Sequence, residues 1–138
     1  MIAPAAEGNA MITGVRKIIV PVNDVDQAKR FWTEQLGFEA TADDTVGDER
    51  WVEVTPPDRQ LALVLSPGQG EPRREVPDRL PHSDIFFSCK DIQQTYQELT
   101  ARGVRFHTAP VKMHFGWWSL FEDQDGTRYA LGEYDPAD

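Results

Sequence analysis

The residues of this chain whose chemistry reaches beyond packing are few: His82, His107 and His114, the lone Cys89, and Lys17 and Asp84, which stand 67 residues apart. Imidazoles ligate divalent metals or act as bases, yet none of the three shows the i, i+4 spacing of a helical ligand pair. His82, Asp84 and His114 make the best metal triad the sequence offers. Against it stands the plainer expectation of separate histidines in loops and at strand ends. Cys89 closes the strand-like run Ile85-Phe86-Phe87-Ser88-Cys89 and reads as a buried, inert thiol. A desolvated lysine ammonium can act as a base or nucleophile, so Lys17 with Asp84 is a candidate acid–base pair and a candidate polar anchor for a ligand.

Aromatic rings are the second signal. Trp51, Phe86, Trp117 and Trp118 fall in strand-like stretches, and His114-Phe-Gly-Trp-Trp118 sets several rings close together. Indole faces suit planar or cationic molecules through stacking and cation–π attraction. Neighbouring strand residues point to opposite sides, so only one of Trp117 and Trp118 can line a trough. Glu53 shares a strand face with Trp51 and is a candidate carboxylate for a cationic ligand. Arg73-Arg74, between acidic residues, reads as a solvated loop.

The elements that must position these groups come from an internal repeat. Residues 17–28 lie on residues 84–95 at a constant offset of 67, and one gap then aligns Gly37-Phe38 with Gly103-Val104. Two copies suit a duplicated module rather than a solenoid. Residues 15–22 and 84–89 have strand composition. Asp24-x-x-Gln27 and Asp91-x-x-Gln94 have capping-box spacing, and the apolar stripes Val25, Ala28, Phe31, Trp32, Leu36 and Ile92, Tyr96, Leu99 predict helices. Gly37 and Gly103 sit where helices end in the left-handed conformation. Further strands are expected at 38–42, 51–55, 61–66, 104–107, 116–122 and 128–133. An acidic turn is expected over Asp43, Asp44, Gly47, Asp48 and Glu49, and another turn over Asp123-Gln-Asp-Gly126. The order βαβββ, twice, predicts an α+β fold with one curved mixed sheet around a cleft. Residues 1–11 are expected to be disordered. One domain should span 12–134, with module one at about 12–66, a turn-rich linker at 67–81 and module two at about 82–134.

Composition narrows the function classes. The 138 residues carry 23 acidic and 14 basic side chains, a net charge of −9. That balance argues against nucleic acid, whose affinity for proteins comes from Lys and Arg neutralising phosphates. No apolar run approaches the roughly 20 residues of a membrane span, and the first ten residues lack the basic and apolar regions of a secretory signal. With a single cysteine no intrachain disulfide can form, which fits a reducing compartment. A cytoplasmic location is expected.

Val22-Asn-Asp-Val-Asp-Gln-Ala-Lys-Arg-Phe-Trp-Thr-Glu-Gln-Leu-Gly-Phe38, its echo from Cys89-Lys-Asp-Ile to Arg102-Gly-Val, and the turn Phe121-Glu-Asp-Gln-Asp-Gly126 resemble the vicinal oxygen chelate superfamily. That superfamily includes glyoxalase I, bleomycin-resistance proteins and extradiol dioxygenases. Gln124 stands where proline is usual in the last motif. The resemblance implies four inward metal ligands, carried over onto Lys17, Val64 (or Ala62 in a slipped register), Asp84 and Ala130. An ammonium cannot ligate, and Val and Ala have no donor. No divalent metal or other cofactor is therefore expected at the family position. The leading expectation is a metal-free cleft that sequesters a small, planar or cationic molecule, lined by Lys17, Trp51, Glu53, Val64, Asp84, Phe86, His114, Trp117 and Trp118. Alternatives are a lyase, isomerase or dioxygenase using a displaced metal or the Lys17/Asp84 pair, and an interaction subunit with a vestigial cleft. The resemblance and the exposed sheet edges of a short two-module chain both suggest a homodimer.

Overall fold

The computed structural model describes residues 10–68 and 75–135. Most of the N-terminal segment expected to be disordered, and Arg73-Arg74, lie outside the described residues. Strand β1 (Lys17–Val22) leads to helix α1 (Val25–Arg30), which continues as a π-helical turn over Phe31–Gln35. Strands β2 (Glu39–Val46), β3 (Glu49–Thr55) and β4 (Ala62–Pro67) complete the first module. The second has β5 (Phe86–Ser88), α2 (Ile92–Ala101), β6 (Arg105–Met113), β7 (Gly116–Glu122) and β8 (Arg128–Tyr134). Both copies are βαβββ, and the fold is α+β.

Each module forms its own four-stranded mixed sheet, in the orders β1-β4-β3-β2 and β5-β8-β7-β6. The β1–β4 and β5–β8 pairs are parallel and the others antiparallel. The hydrogen-bonded ladder does not run from β1 into β5, so the single curved sheet of the sequence reading is two sheets. Pro21 removes a donor from β1, and β5 has only three residues, which leaves little edge to pair.

Both helix starts are capped as their sequences require. Asp24 accepts from the Gln27 N–H at 3.0 Å, and Asp91 from the Gln94 N–H at 3.1 Å. The side chain of Gln94 turns outward to Glu98 instead of closing the capping box. Gly37 and Gly103 have φ of +80° and +90°, the left-handed region where a Cβ is strained. The first helix differs from expectation at its last turn. The Leu36 N–H bonds to the Phe31 carbonyl, five residues back, so the turn is wide. This is where the first module holds the extra residue that the repeat needed a gap to align.

The acidic stretch at 43–49 is not all turn. Asp43 and Asp44 lie within β2, and only Gly47 and Asp48 make the turn. Asp43 is held in the strand by Lys29 at 2.6 Å and by a two-pronged contact from Arg50 at 3.0 Å. Those cations pull its carboxyl far below the usual range, hydrogen bonding from Arg50 acting most strongly. Strand β6 likewise runs past its expected end to Met113, with register shifts between Phe106 and Thr108 and between Thr108 and Val111.

One apolar core serves both modules. Val20, Val22, Val52, Val54, Leu63 and Leu65 from the first sheet join Phe121, Tyr129 and Leu131 from the second. Trp32, fully buried, has its ring 5.4 Å from Phe38, 5.7 Å from Phe87 and 5.3 Å from Tyr129. It stitches the α1 face to the inner face of the second sheet. Between the modules, the Asn23 N–H donates to Asp125 Oδ2 (3.0 Å), and Gln35 and Arg102 exchange side-chain-to-carbonyl bonds. Strand alternation then sends the remaining side chains of both sheets away from this shared core.

Candidate functional site

On the outward face of the first sheet, register sets Lys17 beside Ala62, Ile19 beside Val64, and Val64 beside Glu53. Lys17 Nζ donates to Glu53 Oε2 at 2.7 Å, and Trp51 Nε1 donates to the same oxygen at 2.6 Å. The ammonium also lies 5.8 Å from the centre of the Trp51 ring. Glu53 is 9% exposed, a carboxylate sunk into a sheet face between a cation and an indole N–H. Hydrogen bonding from Lys17, then from Trp51, lowers its pKa below the ordinary carboxylate value. Sequence symmetry set Lys17 against Asp84; the carboxylate the structure gives it is Glu53, two strands away on β3.

The second sheet presents rings on its equivalent face. Register places Phe86 beside Ala130, and Trp118 beside Gly132. Ile19 and Val64 in one module therefore match Phe86 and Ala130 in the other, and counting along β3 and β7 from the partners of Val64 and Ala130, Glu53 and Leu120, matches Trp51 with Trp118. Trp118 packs tilted against Phe86 at 5.6 Å and edge-on against Phe115 at 5.9 Å, and Phe115 reaches Tyr134 at 5.6 Å. Trp117 shares its side of β7 with Ser119 and Phe121, away from this ledge, and its ring carries Lys112 at 5.8 Å. Trp118 is thus the tryptophan of the outward face. His114 packs edge-on against Phe115 at 5.2 Å, at the ledge's rim.

Among the described residues, both faces keep apolar side chains open to solvent. Ile19 is 64% and Phe86 57% exposed, and Trp51 and Tyr134 are also exposed. A groove of about 500 Å³ runs between the modules instead, lined by residues 18–23 of β1 and its exit, residues 82–85, and Asp125, Thr127 and Tyr129. Asp84 lies there, apart from the Lys17–Glu53–Trp51 group. The site residues read from sequence thus divide into Lys17, Trp51, Glu53 and Val64 on one sheet, Phe86 and Trp118 on the other with His114 in its β6–β7 turn, Trp117 on the opposite side of β7, and Asp84 in the groove.

Two histidines expected to stand apart are brought together by a residue the sequence reading passed over. Arg128, on the outward face of β8, donates its backbone N–H to His82 Nδ1 at 2.9 Å. Its Nη2 lies 3.0 Å from Nε2 of that ring, and its Nη1 meets His107 Nε2 at 3.0 Å and the Asp78 carbonyl at 3.0 Å. These partners lie 21 to 50 residues away in sequence, a separation that periodicity cannot reveal. The one available signal was alternation, which places residue 128 on the face of Ala130.

The β7–β8 turn holds a buried acid. Asp123 Oδ1 accepts from the N–H groups of Asp125 (2.9 Å) and Thr127 (3.0 Å), and Oδ2 from the Tyr129 hydroxyl (3.1 Å). Burial raises its pKa to about 6 against the pull of these donors. Burial and the neighbouring Asp123 charge also push the Tyr129 hydroxyl far upward. Cys89, half-buried, has its thiol pKa raised by desolvation, as an unreactive cysteine should.

The donor chemistry at the four positions where the resemblance sets metal ligands does not fit a divalent ion. Lys17 is a cation already paired, and Val64 and Ala130 offer no lone pair. Among the described residues, no group of three or more His, Cys, Asp or Glu is arranged to hold a metal.

Two βαβββ modules, a capped helix in each and a glycine turn before the last strand define a known architecture. Residues 14–131 match the family model of the glyoxalase/bleomycin resistance protein/dioxygenase superfamily. The chain belongs to this superfamily. Its relatives include the uncharacterized protein YetH of Bacillus subtilis (strain 168), 36% identical over 124 residues, covering 89% of this chain and all of YetH. Among solved structures, UcmS2 is 31% identical with a TM-score of 0.75, covering 89% of this chain and 99% of that one. TnmS3, an antibiotic binding protein from Streptomyces sp. CB03234, is 28% identical with a TM-score of 0.78, covering 92% and 100%. No helix among the described residues is long and apolar enough to cross a membrane.

Proposed function

We propose that this superfamily member binds and sequesters a planar organic molecule, without a metal at the family position, on sheet faces that two copies of the chain bring together. The observation that carries this reading is the pair of outward faces with aromatic and apolar side chains open to solvent. Each displays a tryptophan at the same repeat position, Trp51 and Trp118, beside large apolar residues open to solvent. Exposed aromatic surface of this kind marks a binding site. Both faces turn away from the shared core, so a second copy is the natural element to close each of them into a cleft. The antibiotic-binding role in the name of TnmS3 supports a sequestering ligand. A cationic ligand has less support, because Glu53 already meets Lys17 and the Trp51 N–H.

Tryptophan fluorescence titration with a panel of planar polycyclic compounds, charged and uncharged, tests the reading. Saturable quenching is expected, weakened at least fivefold in Trp51→Ala and Trp118→Ala and unchanged in Trp117→Ala. Light scattering after size exclusion should give the mass of a dimer. Affinity indifferent to Trp51 and Trp118 would overturn the proposal.

A further inference from the structure

We infer that Arg128 is an oxyanion subsite of the second sheet's outward face, so that the ligand is a planar aromatic carrying a carboxylate or a similar anionic group. The inference rests on the proposed cleft and adds the polar end of its ligand. Arg128 is 7% exposed, and a guanidinium withdrawn from water to this extent needs a matching anion. The chain supplies a poor one. Among the described residues its closest carboxylate is Asp78 Oδ1 at 4.0 Å, on a side chain 97% exposed. Glu122, its register neighbour on β7, forms no ion pair with it among the described residues.

The hydrogen bonds leave one edge of the guanidinium over. Nη1 is spent on the Asp78 carbonyl and His107. One Nη2 hydrogen faces His82 Nε2 at 3.0 Å, and neither the other Nη2 hydrogen nor Nε has a partner among the described residues. Nε and Nη2 form the side-on fork that grips a carboxylate or phosphate through two parallel bonds. On the same strand face, Ala130 and its register neighbour Phe86 lie two residues on, about 7 Å at the rise of a strand. An acid group on the fork thus puts an attached ring over Phe86 and toward Trp118. A structural staple that merely ties residues 77–82 to the sheet would explain the bonds to Asp78 and His82 but not the buried Nε–H without a partner among the described residues.

The test compares 2-naphthoate with its uncharged amide, 2-naphthamide, by tryptophan quenching, and follows the Arg128 Nε–Hε resonance by NMR during titration with 2-naphthoate and with inorganic phosphate. The wild type is expected to prefer the acid about ten- to a hundredfold. Arg128→Gln should erase that preference while the amide binds as before, and Arg128→Lys should keep only part of it. The Nε–Hε resonance should shift with either anion, and saturation at lower concentration with naphthoate than with phosphate would identify an aromatic acid over a free oxyanion. Equal affinities for acid and amide, or a preference surviving in Arg128→Gln, would overturn the anion subsite while leaving the cleft standing. Absence of quenching by both compounds would remove the cleft reading. The NMR titration on the wild-type protein then still decides the subsite, and an unmoved Nε–Hε signal overturns it even if the Gln variant does not fold.

Discussion

Replacing Asp123 with asparagine should flatten the pH dependence of stability in one defined window. The folded protein holds Asp123 with a pKa of about 6, raised from an ordinary 3.8 by burial. The folded state therefore binds this proton more tightly than the unfolded chain does. Its contribution to stability is fully present below 3.8 and is lost as the pH rises through 6. Between pH 7 and pH 5 these two values predict that wild-type stability rises by about 1.3 kcal/mol from this group alone. Asparagine keeps an Oδ1 acceptor for the Asp125 and Thr127 N–H groups, so the turn should persist. Urea unfolding followed by tryptophan fluorescence at several pH values, in both proteins, isolates the effect, since every other titrating group cancels in the difference. Curves that run parallel from pH 5 to pH 7 would refute the assignment of a buried, proton-hungry carboxyl at this turn.

Glu53→Gln should act in the opposite sense. The lowered pKa of Glu53 contributes stability above its ordinary value of 4.5 that is lost as pH falls further, so the variant's acid unfolding should begin less steeply in the same assay. Trp32→Ala should cost about 3–5 kcal/mol, because it empties the ring cluster that joins the modules. Trp32→Phe should cost much less in chemical denaturation, since it also removes a buried indole N–H that has no partner among the described residues. Gly37→Ala should cost about 1–2 kcal/mol from its φ of +80° alone, as a new Cβ meets nothing closer than Arg102 Nη1 at 3.9 Å.

What the sequence made legible is what neighbouring residues decide among themselves. Asp24 and Asp91 cap helices, Gly37 and Gly103 end them, and Asp123 to Gly126 turns a hairpin, all within a few residues. Trp118 could be narrowed to one of two because alternation is local as well. What stayed hidden depends on which strand lies beside which. Lys17 meets Glu53 because β4 sits between β1 and β3, an order composition does not encode. His82 and His107 meet on Arg128 for the same reason. Asp43 read as turn because acidic residues disfavour strands, and two distant cations reversed that preference.

The wide turn at Phe31–Gln35 has a bearing on how such duplicated chains diverge. A residue gained inside a helix would ordinarily rotate everything after it by about 100° and turn buried side chains outward. Here the surplus is swallowed as a local loosening of the coil, and Phe31 and Trp32 both still face inward. Length can therefore drift within the most regular element of a module without disturbing its neighbours, and gaps between relatives of this fold need not be confined to loops.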